Sequence, residues 1–376
     1  MSWPRWLAEQ RAERERAGLQ RALRPRALGE DVLDLASNDY LGLSAHPEVR
    51  AAAAGAARSW GAGSGASRLV TGTTTLHGEL EAELAGFTGR PAALVCSTGY
   101  HANLSAVTAL ADREALIVSD AHVHASLVDA ARLSRATVEA VPHNDVDAVR
   151  AALDSAGGRR AMVLAESVYS VLGDAAPLAE LAGICAERGA LLLVDEAHGL
   201  GVVGDGGRGL VAGLERAPHV VMTATLSKSL GAMGGAVLGS PELVEHLVNR
   251  ARPFIFDTAL APAPTAGALA ALRVLRDRPE LPERIHLRAA RLAERLGVAS
   301  STGAVLSVPM PSPQRALAAQ AAAREAGVRV GCFRPPSVPD GVSRLRITAQ
   351  AGIAEHAWEH AVEVLTGVVE RHGGGS

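Results

Sequence analysis

The chain has 376 residues, 48% of them hydrophobic and 20% charged, the balance of a globular protein with room for one large or two ordinary domains. A net charge of −3 with dispersed arginines excludes the basic footprint of a nucleic-acid binder, and no apolar run is long enough to span a bilayer. Met1 to Arg26 is charged and lacks an apolar core of signal-peptide length, and the three cysteines are far apart without a CxxC, so the reading is a cytoplasmic protein with reduced thiols and no metal site.

Residues 5–24 alternate Arg, Glu, Ala and Leu in a helical rhythm that predicts an exposed amphipathic helix ending near Pro25. Asp31 to Tyr40 predicts a short strand running into a polar turn, and the glycine- and hydroxyl-rich stretches Gly61–Arg68 and Thr71–His77 lead into a helix from about His77 to Thr88. From residue 92 a new rhythm begins. Apolar strands over Ala92–Cys96, Leu116–Ser119, Thr137–Val141, Ala161–Ala165, Ala190–Val194 and Val220–Thr223 are separated by helical patterns of about a dozen residues, the βαβ signature of a mostly parallel sheet. In such sheets ligands bind beyond the carboxyl ends of the strands. After Gly239 the pattern shifts to a helix over Pro241–Arg252, a Pro-rich hinge at 260–264 and a long helix to about Leu275. Short strands (304–308, 328–330, 343–348) and helices (315–326, 354–365) then predict a smaller α/β domain, giving an N-terminal helix and arm over 1–45, a large domain over 46–258 and a small one over 259–376.

The strand ends carry the polar residues. Ser97 to Asn103 is a turn opening a helix, whose free amides and dipole make an anion site. Ser119 to Ser126 holds His122 and His124, Glu166 to Ser170 follows the next strand, and Asp195-Glu-Ala-His198 follows the most hydrophobic one. The last turn, Thr223 to Gly235, holds Lys228, the single lysine among 37 basic residues. Arginine stays protonated and cannot serve as an amine nucleophile, whereas a lysine can lose its proton when buried, so Lys228 suits a Schiff base with a carbonyl or proton abstraction. Taken singly, Asp195 also reads as a helix N-cap, His198 as a core histidine and His124 as a loop residue. Together they converge on one ligand, pyridoxal 5'-phosphate, which needs an amine for its aldehyde, a carboxylate for its pyridinium nitrogen and donors for its phosphate.

The motifs Ser37-Asn-Asp-Tyr-Leu-Gly-Leu43, Gly63-Ser-Gly65 with Arg68 and His77, Gly99-Tyr-His-Ala-Asn103, His124-Ala-Ser126, Asp195 to Gly201, Thr225-Leu-Ser-Lys228, Arg334 to Pro339 and Arg344 to Thr348 resemble the α-oxoamine synthase family of pyridoxal-phosphate enzymes, over about residues 33–366. The match is nearest to members that condense L-alanine with pimeloyl-CoA or pimeloyl-acyl carrier protein in biotin biosynthesis. The resemblance implies fold type I, aspartate aminotransferase-like, with a large mostly parallel seven-stranded sheet domain and a smaller C-terminal domain. It implies that Lys228 joins the cofactor aldehyde, Asp195 pairs with the pyridinium nitrogen, His198 and Ser170 contact the ring hydroxyl side, and His124 stacks on the ring. By the same resemblance Thr98, Gly99, Tyr100 and Thr225 hold the phosphate. Arg346 binds the amino acid carboxylate, Asn38 lines the substrate pocket, and Arg21 and Ser337 belong to substrate binding. A homodimer with the site between subunits is also implied. Glycine- and serine-using relatives share the cofactor residues, and a catalytically silent scaffold subunit is the reading from another class. Gly204-Asp-Gly-Gly207 does not make a dinucleotide fingerprint.

Overall fold

The structure is a computed structural model that describes residues 1–16, 19–214, 217–335, 338 and 340–374. Among these, strands β1 to β12 run over Leu33–Asp34, Ala92–Cys96, Leu116–Asp120, Thr137–Val141, Ala161–Glu166, Leu191–Asp195, Val220–Thr225, Gly235–Gly239, Val305–Pro309, Val328–Arg329, Gly331–Phe333 and Arg344–Thr348. Helices α1 to α7 span Trp3–Arg16, Pro47–Trp60, Thr75–Thr88, Gly99–Leu110, Ala125–Ser134, Val146–Asp154 and Leu178–Arg188. Helices α8 to α13 span Pro241–Arg250, Arg252–Ile255, Pro262–Asp277, Glu280–Leu296, Pro313–Glu325 and Glu355–Gly373.

The main sheet has seven strands in the order β2-β8-β7-β6-β5-β3-β4, parallel throughout except β8, which runs antiparallel to both neighbours. Its inner strands β3, β5, β6, β7 and β8 are buried almost throughout because both faces are covered, whereas the edge strand β4 leaves Thr137 to Ala140 exposed. Leu192 and Val194 belong to one buried cluster and Leu193 between them to the other, as the two-residue period of a strand requires. Burying each such leucine is worth about 1.5–3 kcal/mol.

Register sets up the site. Glu166 at the end of β5 stands opposite Asp195 at the end of β6, which stands opposite Thr223 in β7. Three polar side chains thus share one row at the carboxyl edge.

Helix α10 packs on α2 and α3, and beyond it β11-β12-β9 form a three-stranded antiparallel sheet with α11, α12 and α13 nearby. The amino-terminal arm joins this second unit: β1 pairs in parallel with β10, and the Thr348 amide donates to the Leu35 carbonyl at 2.9 Å.

Two expectations differ. The helix anticipated over 5–24 is shorter, Trp3–Arg16; it is exposed as expected, none of its residues being buried, and carries its own Arg–Glu pairs. Strand β8 is not among the strands expected from the sequence: Gly234-Gly235, the end of the expected turn, leads straight into a five-residue strand buried along its whole length.

Candidate active site

A cavity of about 250 Å³ opens at the carboxyl edge of β5, β6 and β7. Of the residues expected at the site, Thr98, Gly99, Tyr100, His124, Asp195, His198, Thr225 and Lys228 line it, joined by Asn103, Ser126, Glu166 and Ser227.

The phosphate end is built by the start of α4. Thr98 takes an extended conformation as N-cap and its Oγ1 accepts from the His101 amide at 3.0 Å, while the first intrahelical bond runs from the Ala102 amide to the Thr98 carbonyl. The Gly99 and Tyr100 amides thus head the helix with its positive dipole end. A Cβ on Gly99 would sit 2.8 Å from Thr225 Cβ, so glycine is what lets α4 approach β7 closely enough to form the cradle. Thr225 Oγ1 and Ser227 Oγ, 2.7 Å apart, add hydroxyls on the facing wall.

Lys228 follows β7 in a turn closed at Gly231, whose φ of +60° and contact with the Ser44 backbone exclude a side chain. Its Nζ lies 2.8 Å from His198 Nε2. Burial, opposed by Asp195 and Glu166 and reinforced by Arg346, brings the ammonium down to about 8. Burial, then the Lys228 charge, holds His198 well below the usual imidazole range, so the ring is neutral and a partner rather than a competitor for the proton. Asp195 sits 5% exposed, with Oδ1 accepting from the Ala197 amide at 2.9 Å and Oδ2 from Asn103 Nδ2 at 2.8 Å. His124 stands at the exposed mouth of the cavity, with Nδ1 2.8 Å from Ser126 Oγ; burial of its ring, ahead of the other causes, lowers its titration.

Arg346, Asn38 and Ser170 form a second group beside the first. The Arg346 guanidinium donates from Nε to the Ser170 carbonyl at 2.7 Å, from Nη1 to Asn38 Oδ1 at 3.1 Å and from Nη2 to the Tyr40 hydroxyl at 3.4 Å. Tyr40 bridges the groups, its hydroxyl 2.6 Å from His198 Nδ1. Ser170 takes part through its main chain, its amide donating to Glu166 Oε2 at 3.0 Å. Arg21 lines a separate, wider cavity of about 990 Å³ with Arg14, Arg24 and Arg334. Ser337 lies outside the described residues.

Sequence reasoning gave no role to Asn103, Tyr40, Ser126 or Glu166. Asn103, Ser126 and Tyr40 were visible as members of motifs, but only their tertiary neighbours reveal what they touch. Glu166 is 1% exposed, its Oε1 has no hydrogen-bond partner among the described residues, and burial followed by Asp195 pushes its carboxyl well above the usual range.

The donor set fits pyridoxal phosphate: helix-head amides and hydroxyls at one end of the cavity, a carboxylate in its wall, and an amine that loses its proton near neutrality. Among the described residues no group of three or more His, Cys, Asp or Glu could hold a metal, and no helix is long and apolar enough to cross a membrane.

Known proteins resemble this chain along nearly its whole length. The family model of aminotransferase class I and II matches residues 30–365. The chain is 55% identical over 369 residues to 8-amino-7-oxononanoate synthase of Mycolicibacterium gilvum, covering 97% of each. A solved structure of SPT with PLP is similar at a TM-score of 0.92 and 28% identity, covering 99% of this chain and 100% of that one. The structure of 8-amino-7-oxononanoate synthase from Francisella tularensis follows at a TM-score of 0.77 and 25% identity, covering 90% and 98%.

Proposed function

The chain belongs to the aminotransferase class I and II family, and from that premise we propose that it condenses L-alanine with a pimeloyl thioester, on CoA or acyl carrier protein, to give 8-amino-7-oxononanoate, CO2 and the free thiol. This is a step of biotin biosynthesis, with pyridoxal 5'-phosphate as cofactor. The observation that carries the reading is the single lysine amine sharing one cavity with a buried carboxylate, two imidazoles and a helix-head anion cradle. Relatives at 55% identity over nearly the whole chain bear that reaction's name, which favours alanine and a pimeloyl donor over the serine chemistry of the less similar SPT.

The cofactor, when bound, supplies an electron sink for the pair of electrons left at the amino acid Cα. Lys228 would hold its aldehyde, Asp195 its ring nitrogen, His198 its hydroxyl side, and Gly99, Tyr100, Thr98 and Thr225 its phosphate. The remaining work belongs to the side chains. Lys228 Nζ, in its uncharged form, takes the Cα proton of alanine and returns a proton to the same carbon after CO2 leaves. Arg346 holds the amino acid carboxylate as a planar fork, oriented by Asn38 Oδ1 and the Tyr40 hydroxyl. His124 donates from its ring to the thioester carbonyl as negative charge grows on that oxygen. Arg21 and its arginine neighbours attract the anionic acyl donor. The protein works as a homodimer with the site at the subunit boundary. Supporting this, α1 buries none of its residues and leaves Trp3 75% exposed.

The test is product analysis by mass spectrometry with L-alanine, glycine or L-serine against pimeloyl, acetyl, succinyl and palmitoyl thioesters. The alanine–pimeloyl pair gives the fastest turnover, and Lys228→Ala none. A different preferred pair, or full turnover by Lys228→Ala, contradicts the reading.

A further inference from the structure

Asn103 lies in α4, 2% exposed, where three polar groups from other elements meet its amide. Its Nδ2 is 2.8 Å from Asp195 Oδ2 and 2.8 Å from Ser126 Oγ, and its Oδ1 accepts from Thr223 Oγ1 at 2.6 Å. The amide orientation follows from chemistry: the flipped form would set the amide oxygen against the Asp195 carboxylate, two acceptors at hydrogen-bond distance. Both Nδ2 hydrogens are therefore committed, one to Asp195 and one to Ser126.

The rest follows by counting protons. Because Ser126 Oγ accepts from Asn103, its own hydrogen is free to go to His124 Nδ1, 2.8 Å away. The Ser126 amide also points at that nitrogen, at 3.2 Å. Two donors aimed at Nδ1 leave the proton of a neutral ring on Nε2.

We propose that Asn103 is a positioning residue that, through one side-chain amide, both orients the Asp195 carboxylate and fixes His124 as the Nε2–H tautomer. It acts through the two groups on which the proposed chemistry depends, so the inference rests on the roles given to His124 and Asp195 above. It goes beyond them by naming what sets the ring's donor edge. An asparagine satisfied merely as a buried polar group would need no particular direction; here the direction decides which nitrogen donates.

The polarity of this relay can be reversed without changing its shape. Asn103→Asp is isosteric; two carboxyls 2.8 Å apart share one proton, so the hydrogen bond to Asp195 is kept while the hydrogen that pointed at Ser126 is lost. Ser126 then donates to the new carboxylate and turns a lone pair toward His124 Nδ1, which favours protonation there.

The experiment is nitrogen NMR of histidine-labelled, cofactor-free protein, with the His124 signals assigned by a His124→Gln variant. The wild-type chain shows an unprotonated Nδ1 and a protonated Nε2 at neutral pH, and Asn103→Asp moves Nδ1 toward the protonated shift. Ser126→Ala, which breaks the relay while keeping Asn103 on Asp195, moves both signals toward the tautomer average and serves if Asn103→Asp does not fold. In the loaded enzyme, Asn103→Leu lowers turnover about 10- to 100-fold, the loss expected for hydrogen bonds to a charged group. A wild-type Nδ1–H ring, or signals unmoved by both Asn103→Asp and Ser126→Ala, overturns the proposal. Neither outcome bears on whether Lys228→Ala is inactive, so this inference and the proposed function fail separately.

Discussion

Lys228 is the residue where composition, position and electrostatics meet. A chain that uses arginine for every other basic position keeps one lysine, and the fold sets its amine 2.8 Å from a neutral histidine. Its importance was legible because a unique residue type needs a reason. Asn103 was not legible in the same way, since its partners lie 23, 92 and 120 positions away in sequence. Tyr40 was equally silent, though its hydroxyl ties His198 to the Arg346 group. Arg346 makes a residue-level prediction. Its three donor contacts hold a planar fork that an ammonium cannot reproduce, so Arg346→Lys raises KM for the amino acid by about 10- to 100-fold, the worth of charged hydrogen bonds. Steady-state kinetics with alanine varied at saturating thioester checks this, and an unchanged KM would remove Arg346 from carboxylate binding.

At the scale of elements, β3, β5, β6 and β7 were readable because parallel strands covered on both faces are nearly uninterrupted hydrophobic runs. β8 escaped because it begins and ends on glycine and follows directly on Gly234. Those glycines are structural requirements: a Cβ on Gly235 would lie 2.3 Å from the Thr98 carbonyl oxygen, so the strand is glycine-rich where it passes the α4 cradle. The amino-terminal helix was legible as an exposed helix, but its end was not, because the helical rhythm of residues 5–24 runs on past Arg16 with no buried face behind it. The contact between α4 and β7 gives the prediction here. Gly99→Ala sets a methyl 2.8 Å from Thr225 Cβ and forces the helix head from the strand end. We expect a loss of about 1–3 kcal/mol in stability by chemical denaturation, the cost of overpacking, together with weaker binding of cofactor in equilibrium titration. An Ala variant as stable and as tightly loaded as the parent would show that the close approach is dispensable.

For the whole molecule, the sheet gathers at one edge what the sequence scatters over more than 130 residues, from Thr98 to Lys228. The second unit adds Arg346, and the arm returns through β1 and β10 to bring Asn38 and Tyr40 alongside. We propose the exposed α1, with Trp3 and Trp6 edge to face at 5.5 Å, as a surface that a second copy covers. Light scattering on the purified chain should return about twice 38.7 kDa, and a mass of one chain at micromolar concentration would remove the shared site. The claim beneath all of this is that Lys228 is the amine that meets the cofactor. The direct measurement is borohydride reduction of the protein mixed with pyridoxal phosphate, followed by peptide mapping across a pH series. One labelled lysine peptide, at residue 228, is expected, with labelling of cofactor-free protein rising as pH passes through about 8, where the amine sheds its proton. Label confined to the amino terminus, or none at all, would contradict the account.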